Sequence, residues 1–463
     1  MRNIIISVCI IGLFLELSGL IWSAKRDKPS DTFVRLSAPP AHAIDRPLEN
    51  GYFLLLGMGA ADGLNPVQVG HELWLEADSK PLERSFDFDK PGRSEMRLPV
   101  SLEQLVPEWH AADPIAEFQN PDALYRNSAP LYAPLLARYE QWLRMRFEDW
   151  GYGHVGALRI EEPLGAHRLY IVTGFGKDLK SGLDRLTVDL AKWRTVLREA
   201  RTLSVKMMAT VMIEDDVELL SRMLSQHTVE RQVLTQGLAL LQPLVPAEYS
   251  LRWPIQNEFM LGYQASRSMS NPVQDQVRIS TATLASVATF LHLPSDAFAK
   301  TAHPIRSITW TVASPSQQTW DAYASYYDAV IKAAESIHSP LPKLHDIARQ
   351  AQRTFLERLS DPMEFEPEWE PFSQRLVETD ARLRLVSLQI LMRKPTATVT
   401  IPTRLAEVGS MYFDPFSGLP MLWSPTQKKI YSVGKDRLDD GGDPSFDISV
   451  PLPLTLTHSG AAS

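Results

Sequence analysis

LDRLTVDLAKWRTVLREARTLSVKMMATVMIEDDVELLSRML, residues 183–224, is the longest stretch with a helical pattern in the chain. Its apolar side chains recur at steps of three and four, which places them along one face of a helix. They are Leu183, Leu186, Leu190, Trp193 and Leu197, followed by Leu203, Met207, Val211, Val217, Leu220 and Leu224. The pattern predicts helices at the centre of the core, with a turn near residues 214–216.

The polar residues between these apolar positions are predicted to face water and to support the helix through pairs three or four apart. They are Asp184, Arg185, Asp189, Lys192, Arg194, Arg198 and Glu199. The run Glu214-Asp215-Asp216 is expected to cap and solvate the turn, because neighbouring helical residues point in different directions and cannot converge on one ion. The alternative interpretation is that Glu214 and Asp216 serve as the acid and the base of an enzyme.

The composition limits the possible partners. The 463 residues are 44% hydrophobic, which is enough for a large core, and the net charge is -8. No stripe of lysine and arginine is present, so a nucleic-acid partner is not expected. Cys9 is the only cysteine, so the chain can form no internal disulfide and no cluster of thiolate ligands.

The N-terminal segment from Ile4 to Trp22 is almost wholly apolar and is followed by Lys25 and Arg26. Its length matches that of a helix crossing a bilayer, and no good cleavage site follows it, which favours an uncleaved anchor over a signal peptide. The sequence thus predicts a transmembrane anchor at residues 1–24, a linker at 25–48, a helical body at 49–394 and a small β-rich segment at 395–463. We expect a single-pass inner-membrane protein with a periplasmic body.

Further amphipathic patterns fill the predicted body. Helix candidates are Leu131–Phe147, Leu164–Thr173, Val229–Leu241, Ala247–Gly262 with a kink at Pro254, Thr283–Leu291, Trp320–Ala334, Leu341–Leu359 and Leu376–Met392. Asn65-Pro66-Val67-Gln68 has the residues of a helix start. Two β-branched or aromatic runs, Thr396–Ile401 and Lys429–Val433, are strand candidates. The expected fold class is mainly α, an irregular multi-helix body with a small β-rich C-terminal cap.

Catalytic motifs are missing from the sequence. It contains no His-Glu-x-x-His, no Gly-x-Ser-x-Gly and no phosphate-binding loop, and its eleven histidines are scattered singly. No catalytic residue is therefore predicted.

The densest group of carboxylates lies near the C-terminus. Asp436, Asp439, Asp440, Asp443 and Asp447 fall within a dozen residues, with Gly441 and Gly442 between them. Glycines permit tight backbone turns, and a calcium ion takes six to eight oxygen ligands. The spacing predicts a calcium site made of these five aspartates, and an exposed turn that binds no ion is the alternative.

The segment 412–448 resembles the end of the major pseudopilins of type II secretion. The similarity lies in the turn Asp414-Pro415-Phe416-Ser417-Gly418-Leu419-Pro420 and the following run Tyr431-Ser432-Val433-Gly434-Lys435-Asp436. The resemblance implies a calcium loop in which Asp436 and Asp447 are ligands. Separately, residues 50–57, 206–209 and 414–416 look like a group of bacterial envelope proteins without an assigned activity, which implies location more than chemistry.

These features favour a membrane-anchored envelope protein with an interaction or scaffolding role, linked to secretion or surface assembly through a protein partner. Two alternatives stay open. An envelope enzyme would use carboxylates of the helical body and needs two of them to converge in a pocket. A small-ligand-binding module would need an apolar groove between helices.

Overall fold

The computed structural model describes residues 28–79, 109–121, 126, 129–154, 160–227, 238–269, 317–335, 341, 369–393 and 399–452. These residues form a mainly helical fold with one small sheet. The predicted anchor and the helix candidates Thr283–Leu291 and Leu341–Leu359 lie outside them, apart from Leu341, as does most of Val229–Leu241. Within the described part of the chain, no helix has the length and apolar character to cross a membrane.

The helices follow one another along the chain and are numbered in that order. They are α1 (Asp31–Ser37), α2 (Gly51–Leu56), α3 (Pro66–Ser79), α4 (Pro114–Gln119), α5 (Ala133–Arg144), α6 (Glu161–Phe175), α7 (Leu179–Glu199), α8 (Leu203–Gln226), α9 (Pro246–Tyr249), α10 (Arg252–Met269), α11 (Gln317–Ala334), α12 (Glu370–Met392) and α13 (Ile401–Glu407). Short 3-10 turns lie at Pro47–Glu49, Ala129–Tyr132 and Ser410–Tyr412.

The central stretch folds into α7 and α8, and the predicted apolar face is buried along both helices. Asp178 caps α7 through the Ser181 amide, and Thr202 caps α8 through the Val205 amide. The predicted turn at 214–216 is wrong, because α8 runs unbroken through those residues and buries all three acids. A helix surrounded by other elements can be buried on every side, and α8 packs against α7, α12 and α4.

The prediction that the polar residues of α7 face water is also only partly correct. Asp184 and Arg198 are exposed, but Asp189, Lys192 and Arg194 are buried. Each of the three has polar partners on a neighbouring element, which offsets the cost of removing a charged group from water. Arg194, for example, donates to Glu248 of α9 from Nε over 3.0 Å and from Nη2 over 2.6 Å.

Several predicted boundaries shift for local reasons. Part of the predicted linker is α1, whose Phe33 and Leu36 are buried where α1 packs on α10 and α11. Pro254 does not kink a helix but lies in the first turn of α10, where its missing N–H costs nothing. Ile401 ends no strand and instead begins α13, which Thr400 caps.

The C-terminal sheet has three antiparallel strands, β1 (Leu422–Ser424), β2 (Lys429–Ser432) and β3 (Ile448–Pro451), in the order β1-β2-β3. Leu422 pairs with Tyr431, and Ile430 pairs with Val450. Strands β2 and β3 pack on α12, and β3 also contacts α8. The small sheet is thus joined to the helical core, and Ile430 and Val450 belong to the same apolar cluster as α8.

Candidate functional site

Three ionisable side chains meet in the middle of the helical core. They are His167 of α6, Asp189 of α7 and Asp216 of α8, which we call the buried centre, and none of them has any exposed surface. One ligand atom from each lies within 4.8 Å of the others. In the part of the chain that the structure describes, this is the one group of three or more His, Cys, Asp and Glu side chains with that geometry.

The helices bring these residues together because each occupies a position on a buried face. Asp189 stands three residues after Leu186 and four before Trp193, both buried in the core. His167 stands three after Leu164 and four before Ile171, and Asp216 stands four after Met212 and four before Leu220. In each helix a polar residue therefore replaces an apolar one within the stripe that packs inward.

A chain of hydrogen bonds fixes one side of the buried centre. Trp193 Nε1 donates to the Tyr139 hydroxyl over 2.7 Å, and that hydroxyl donates to Asp189 Oδ1 over 2.6 Å. The other oxygen of Asp189 lies 2.8 Å from His167 Nδ1. Because a carboxylate accepts hydrogen bonds, Asp189 places an imidazole proton on Nδ1, so the lone pair of the neutral ring is on Nε2.

That lone pair points toward Asp216 without reaching it. His167 Nε2 lies 3.9 Å from Asp216 Oδ1, which is beyond hydrogen-bonding distance. Nε2 and both carboxylate oxygens of Asp216 are buried and have no hydrogen-bond partner among the described residues. Burial, followed by the charge of Asp189, raises the pKa of Asp216 well above its usual value. The buried centre therefore holds three polar atoms that face one another unsatisfied.

The neighbours of Asp216 in the run 214–216 point elsewhere. Asp215 accepts from Nε and Nη2 of Arg168, each over 2.8 Å. Glu214 faces α12, where it accepts from the Thr379 hydroxyl over 2.7 Å and binds Arg375. The structure thus separates Glu214 from Asp216, the two residues of the alternative acid and base pair, as expected for helical neighbours.

The five predicted calcium ligands lie in or beside the turns that connect β2 to β3. We call residues 434–447 the acidic loop, and Asp436, Asp439, Asp440 and Asp443 are exposed on it, whereas Asp447 is buried. Asp436 accepts from the Leu438 amide over 3.1 Å, and Asp443 accepts from the Ser445 amide over 2.9 Å. These bonds shape tight turns.

Two of the five aspartates have contacts that connect parts of the acidic loop. Asp439 accepts from the Tyr431 hydroxyl over 2.9 Å, and Asp447 Oδ2 accepts from the Gly442 amide over 2.7 Å. Asp447 Oδ1 is buried and has no hydrogen-bond partner in the described residues. Burial raises the pKa of Asp447, with a further contribution from the charges of Asp440 and Asp439. The structure does not collect the five aspartates into one ligand set, and calcium binding stays a prediction.

The sequence patterns do not identify His167 or Asp189 as site residues. Apolar periodicity places Asp189 on the solvent face of α7, and His167 is one of the scattered single histidines. The signal that could identify both is their position within an apolar stripe, since a polar residue flanked by buried residues at three and four positions must find a partner in the core.

Comparisons with known proteins add no relative. No family model, no curated protein and no solved structure matches this chain. The resemblance of residues 412–448 to the pseudopilins therefore stays a prediction.

Proposed function

We propose that this chain is a single-pass inner-membrane protein whose periplasmic body binds another envelope protein, as part of a scaffold for secretion or surface assembly. The membrane anchor in this proposal depends on the apolar segment Ile4–Trp22. The observation that best supports an interaction role is the acidic loop, which is held firmly at its base and presents apolar and acidic side chains to solvent.

The base of the acidic loop is fixed by buried polar contacts. Asp414, which is buried, accepts from the Ser432 hydroxyl over 2.9 Å and from the Val433 amide over 3.0 Å. Gly434 has a φ of +67°, and a Cβ built there would lie 2.2 Å from the carbonyl oxygen of Phe446. Only glycine lets the two ends of the loop come this close. The loop is therefore attached to the core in one defined geometry.

The acidic loop exposes two large apolar side chains. Leu438 is 63% exposed and Phe446 is 56% exposed, and both lie among exposed aspartates. A single exposed leucine is ordinary, but an exposed phenylalanine and leucine on one short, anchored loop are typical of a contact surface. The aspartates outnumber Lys435 and Arg437, so the matching partner surface is an apolar pocket with a basic rim.

Calcium bound by the acidic loop is part of this proposal. Asp447 Oδ1, which is buried and has no hydrogen-bond partner among the described residues, supports a cation position, because Asp440 and Asp439 are close enough for their charges to raise the Asp447 pKa. A calcium ion would offset this repulsion and rigidify the acidic loop for its partner. In this role the ion is structural.

An enzymatic role for carboxylates of the helical body has weaker support. Glu214 and Asp216 face different helices, and Asp216, the acid with the raised pKa, has no exposed surface. A substrate would need access that the packing of α6, α7 and α8 does not provide.

The proposal is tested in two steps in cells. A reporter fused to the C-terminus, active on only one side of the membrane, is expected to report the periplasm. A photo-crosslinking amino acid is then placed at position 438 or 446, and at Val188 of α7 as a control that is 48% exposed. We expect a discrete crosslinked band from 438 and 446 and none from 188. A cytoplasmic reporter signal, or the same pattern from all three positions, would overturn the proposal.

The chemistry of the contact is checked with Leu438→Ser combined with Phe446→Ser. Because both side chains are exposed, the double variant is expected to keep the unfolding temperature of the wild type and to lose the complex in a pull-down from solubilised membranes. Val188→Ser is the matched control and should keep the complex. A retained complex in the double variant would place the partner elsewhere on the body.

A further inference from the structure

The buried centre places two carboxyl groups close together in a region without access to water. Asp189 and Asp216 bring two carboxyl groups together, and the hydrogen-bond partners of Asp189 are the neutral Tyr139 hydroxyl and His167. The nearest guanidinium on α6, that of Arg168, binds Asp215 instead. Two buried carboxylates repel each other strongly, so the space between them favours either a cation or a proton on one of the two groups.

The nitrogen and oxygen atoms of the buried centre that lack hydrogen-bond partners in the described residues are of the kind that coordinate a transition metal. Among the residues that the structure describes, His167 Nε2 and both carboxylate oxygens of Asp216 have no hydrogen-bond partner. The 3.9 Å between Nε2 and Oδ1 is about twice the 2.0–2.2 Å bond that zinc forms with imidazole nitrogen or carboxylate oxygen. An ion between these atoms would contact both with little movement of either side chain.

The contacts around His167 match those that orient a metal-bound imidazole. Metal-binding histidines commonly donate their other ring N–H to a carboxylate, which fixes the tautomer and makes the ligating nitrogen more basic. Asp189 accepts from Nδ1 in this way, and it is itself held by Tyr139, whose hydroxyl accepts from Trp193. This network fixes the imidazole orientation before any ligand arrives.

We propose that the buried centre binds one divalent transition-metal ion, with zinc as the probe, through His167 Nε2 and the Asp216 carboxylate, while Asp189 orients the imidazole and balances the charge. Two carboxylates and a dication give a centre with no net charge. Because all three residues have no exposed surface, the ion enters as α6, α7 and α8 assemble and leaves only when they open. The ion would then join three helices of the core.

The competing occupant of the space is a proton. A protonated Asp216 would remove the repulsion without any metal, and its raised pKa is compatible with that state. The two occupants differ in a measurable way, since a proton does not respond to a chelator and a bound ion does.

The experiment uses the full chain, purified in detergent, unfolded, and refolded with either zinc or a chelator. After removal of free metal, we expect about one equivalent of zinc per chain in the wild type by elemental analysis. His167→Gln and Asp216→Asn should each retain less than about a tenth of that amount. Asp215→Asn, at the adjacent position but paired with Arg168, is the matched control and should retain the full equivalent. Refolding with cobalt should give visible absorption bands in the wild type and the control alone.

A stability measurement keeps the test decisive if a variant folds poorly. The zinc-refolded wild type is expected to unfold at a temperature about 5–10 °C above that of the chelator-refolded wild type, because the ion binds only the native state. Asp216→Asn should show no difference between the two preparations. The proposal is overturned if the wild type retains neither zinc nor cobalt, if His167→Gln and Asp216→Asn retain as much as the wild type, or if the chelator leaves the unfolding temperature unchanged.

Discussion

Asp189 and Asp216 are 27 positions apart in the chain and meet in the core, whereas Asp439, Asp440 and Asp443 lie within five positions and remain on the surface. In the acidic loop, Asp436 and Asp443 each accept a backbone N–H two residues on. In the buried centre, the free oxygens of Asp216 face a histidine on another helix. Acids that are dense in sequence can simply shape turns, and acids that converge in space can come from separate helices.

A second difference concerns what happens when a carboxylate is removed. Core acids such as Glu248 are themselves buried and bind a largely buried partner, Arg194, while most acids of the acidic loop are exposed. The loss in free energy of unfolding on removing an acidic side chain should therefore depend on its burial and on its partner, and not on how many acids are near it in the sequence.

The largest effect is expected for Glu248→Ala. Glu248 is fully buried and binds Arg194 through both carboxylate oxygens, and it also accepts from the Val245 amide over 2.9 Å. Removing it leaves a buried guanidinium with only carbonyl partners, so the free energy of unfolding should fall by about 3–5 kcal/mol. Urea denaturation measures this change.

The control for Glu248→Ala is Asp184→Ala on α7, which breaks an exposed pair with Lys180. We expect no measurable change there, since exposed ion pairs contribute little. Equal losses in the two variants would show that burial does not distinguish the acids of this chain.

The next effect involves a buried cation, Lys206, whose Nζ donates to the Leu197 carbonyl over 2.8 Å. Burial lowers the pKa of Lys206 to about 7, and the charge of Glu248 opposes the shift. Because the unfolded chain keeps the ordinary pKa, it binds more protons than the folded chain between about pH 7 and pH 10, and stability rises with pH across that window.

Lys206→Met removes this titration. We expect the free energy of unfolding of the variant, relative to that of the wild type, to be about 4 kcal/mol higher at pH 6 than at pH 10. Denaturation curves at several pH values test this, with the exposed Lys180→Met as the control that shows no such trend. A difference that is constant across the pH range would mean that Lys206 keeps its charge in the core.

The fold is largely accessible from the sequence, and the buried centre is not. Periodicity predicts α7, α12 and the two halves of α8, although not their continuity through residues 214–216, because apolar spacing depends only on local helix geometry. It assigns Asp189, Lys192 and Arg194 to solvent because the partner of a polar residue lies on another helix, which a local pattern does not contain. Tyr139, His167 and Asp216 come from three helices, so their meeting depends on how those helices pack.

In the C-terminal segment, local patterns predict one strand correctly and misassign the end of another. The prediction of β2 is confirmed, because β-branched and aromatic residues favour an extended backbone through local interactions. The expected strand at Thr396–Ile401 is wrong at its end, because Thr400 is an N-cap and Pro402 fits the first turn of α13.

A smaller effect is expected from the geometry of the acidic loop. Gly434→Ala must place a Cβ against the Phe446 carbonyl at a positive φ, so the free energy of unfolding should fall by about 2–3 kcal/mol. Gly418 has a similar φ of +72° with open space around it, so Gly418→Ala isolates the backbone contribution and should cost about 1 kcal/mol. The difference in thermal stability between the two variants measures the steric contact with the Phe446 carbonyl apart from the cost of a positive φ. Equal losses would mean that the loop ends are not in contact.

The smallest effect distinguishes a loop that is only shaped by its acids from one that also binds an ion. Asp436→Ala removes one exposed hydrogen bond to the Leu438 amide, so without calcium the free energy of unfolding should fall by only about 0.5 kcal/mol. If calcium binds the acidic loop, the wild type should gain unfolding temperature on titration with calcium, and Asp436→Ala and Asp447→Asn should lose that gain. Asp216→Asn, which alters the buried centre alone, should keep it. A wild type that does not respond to calcium would leave the aspartates of the acidic loop with a role in turn geometry and partner contact only, and would make the buried centre the single cation site proposed for this chain.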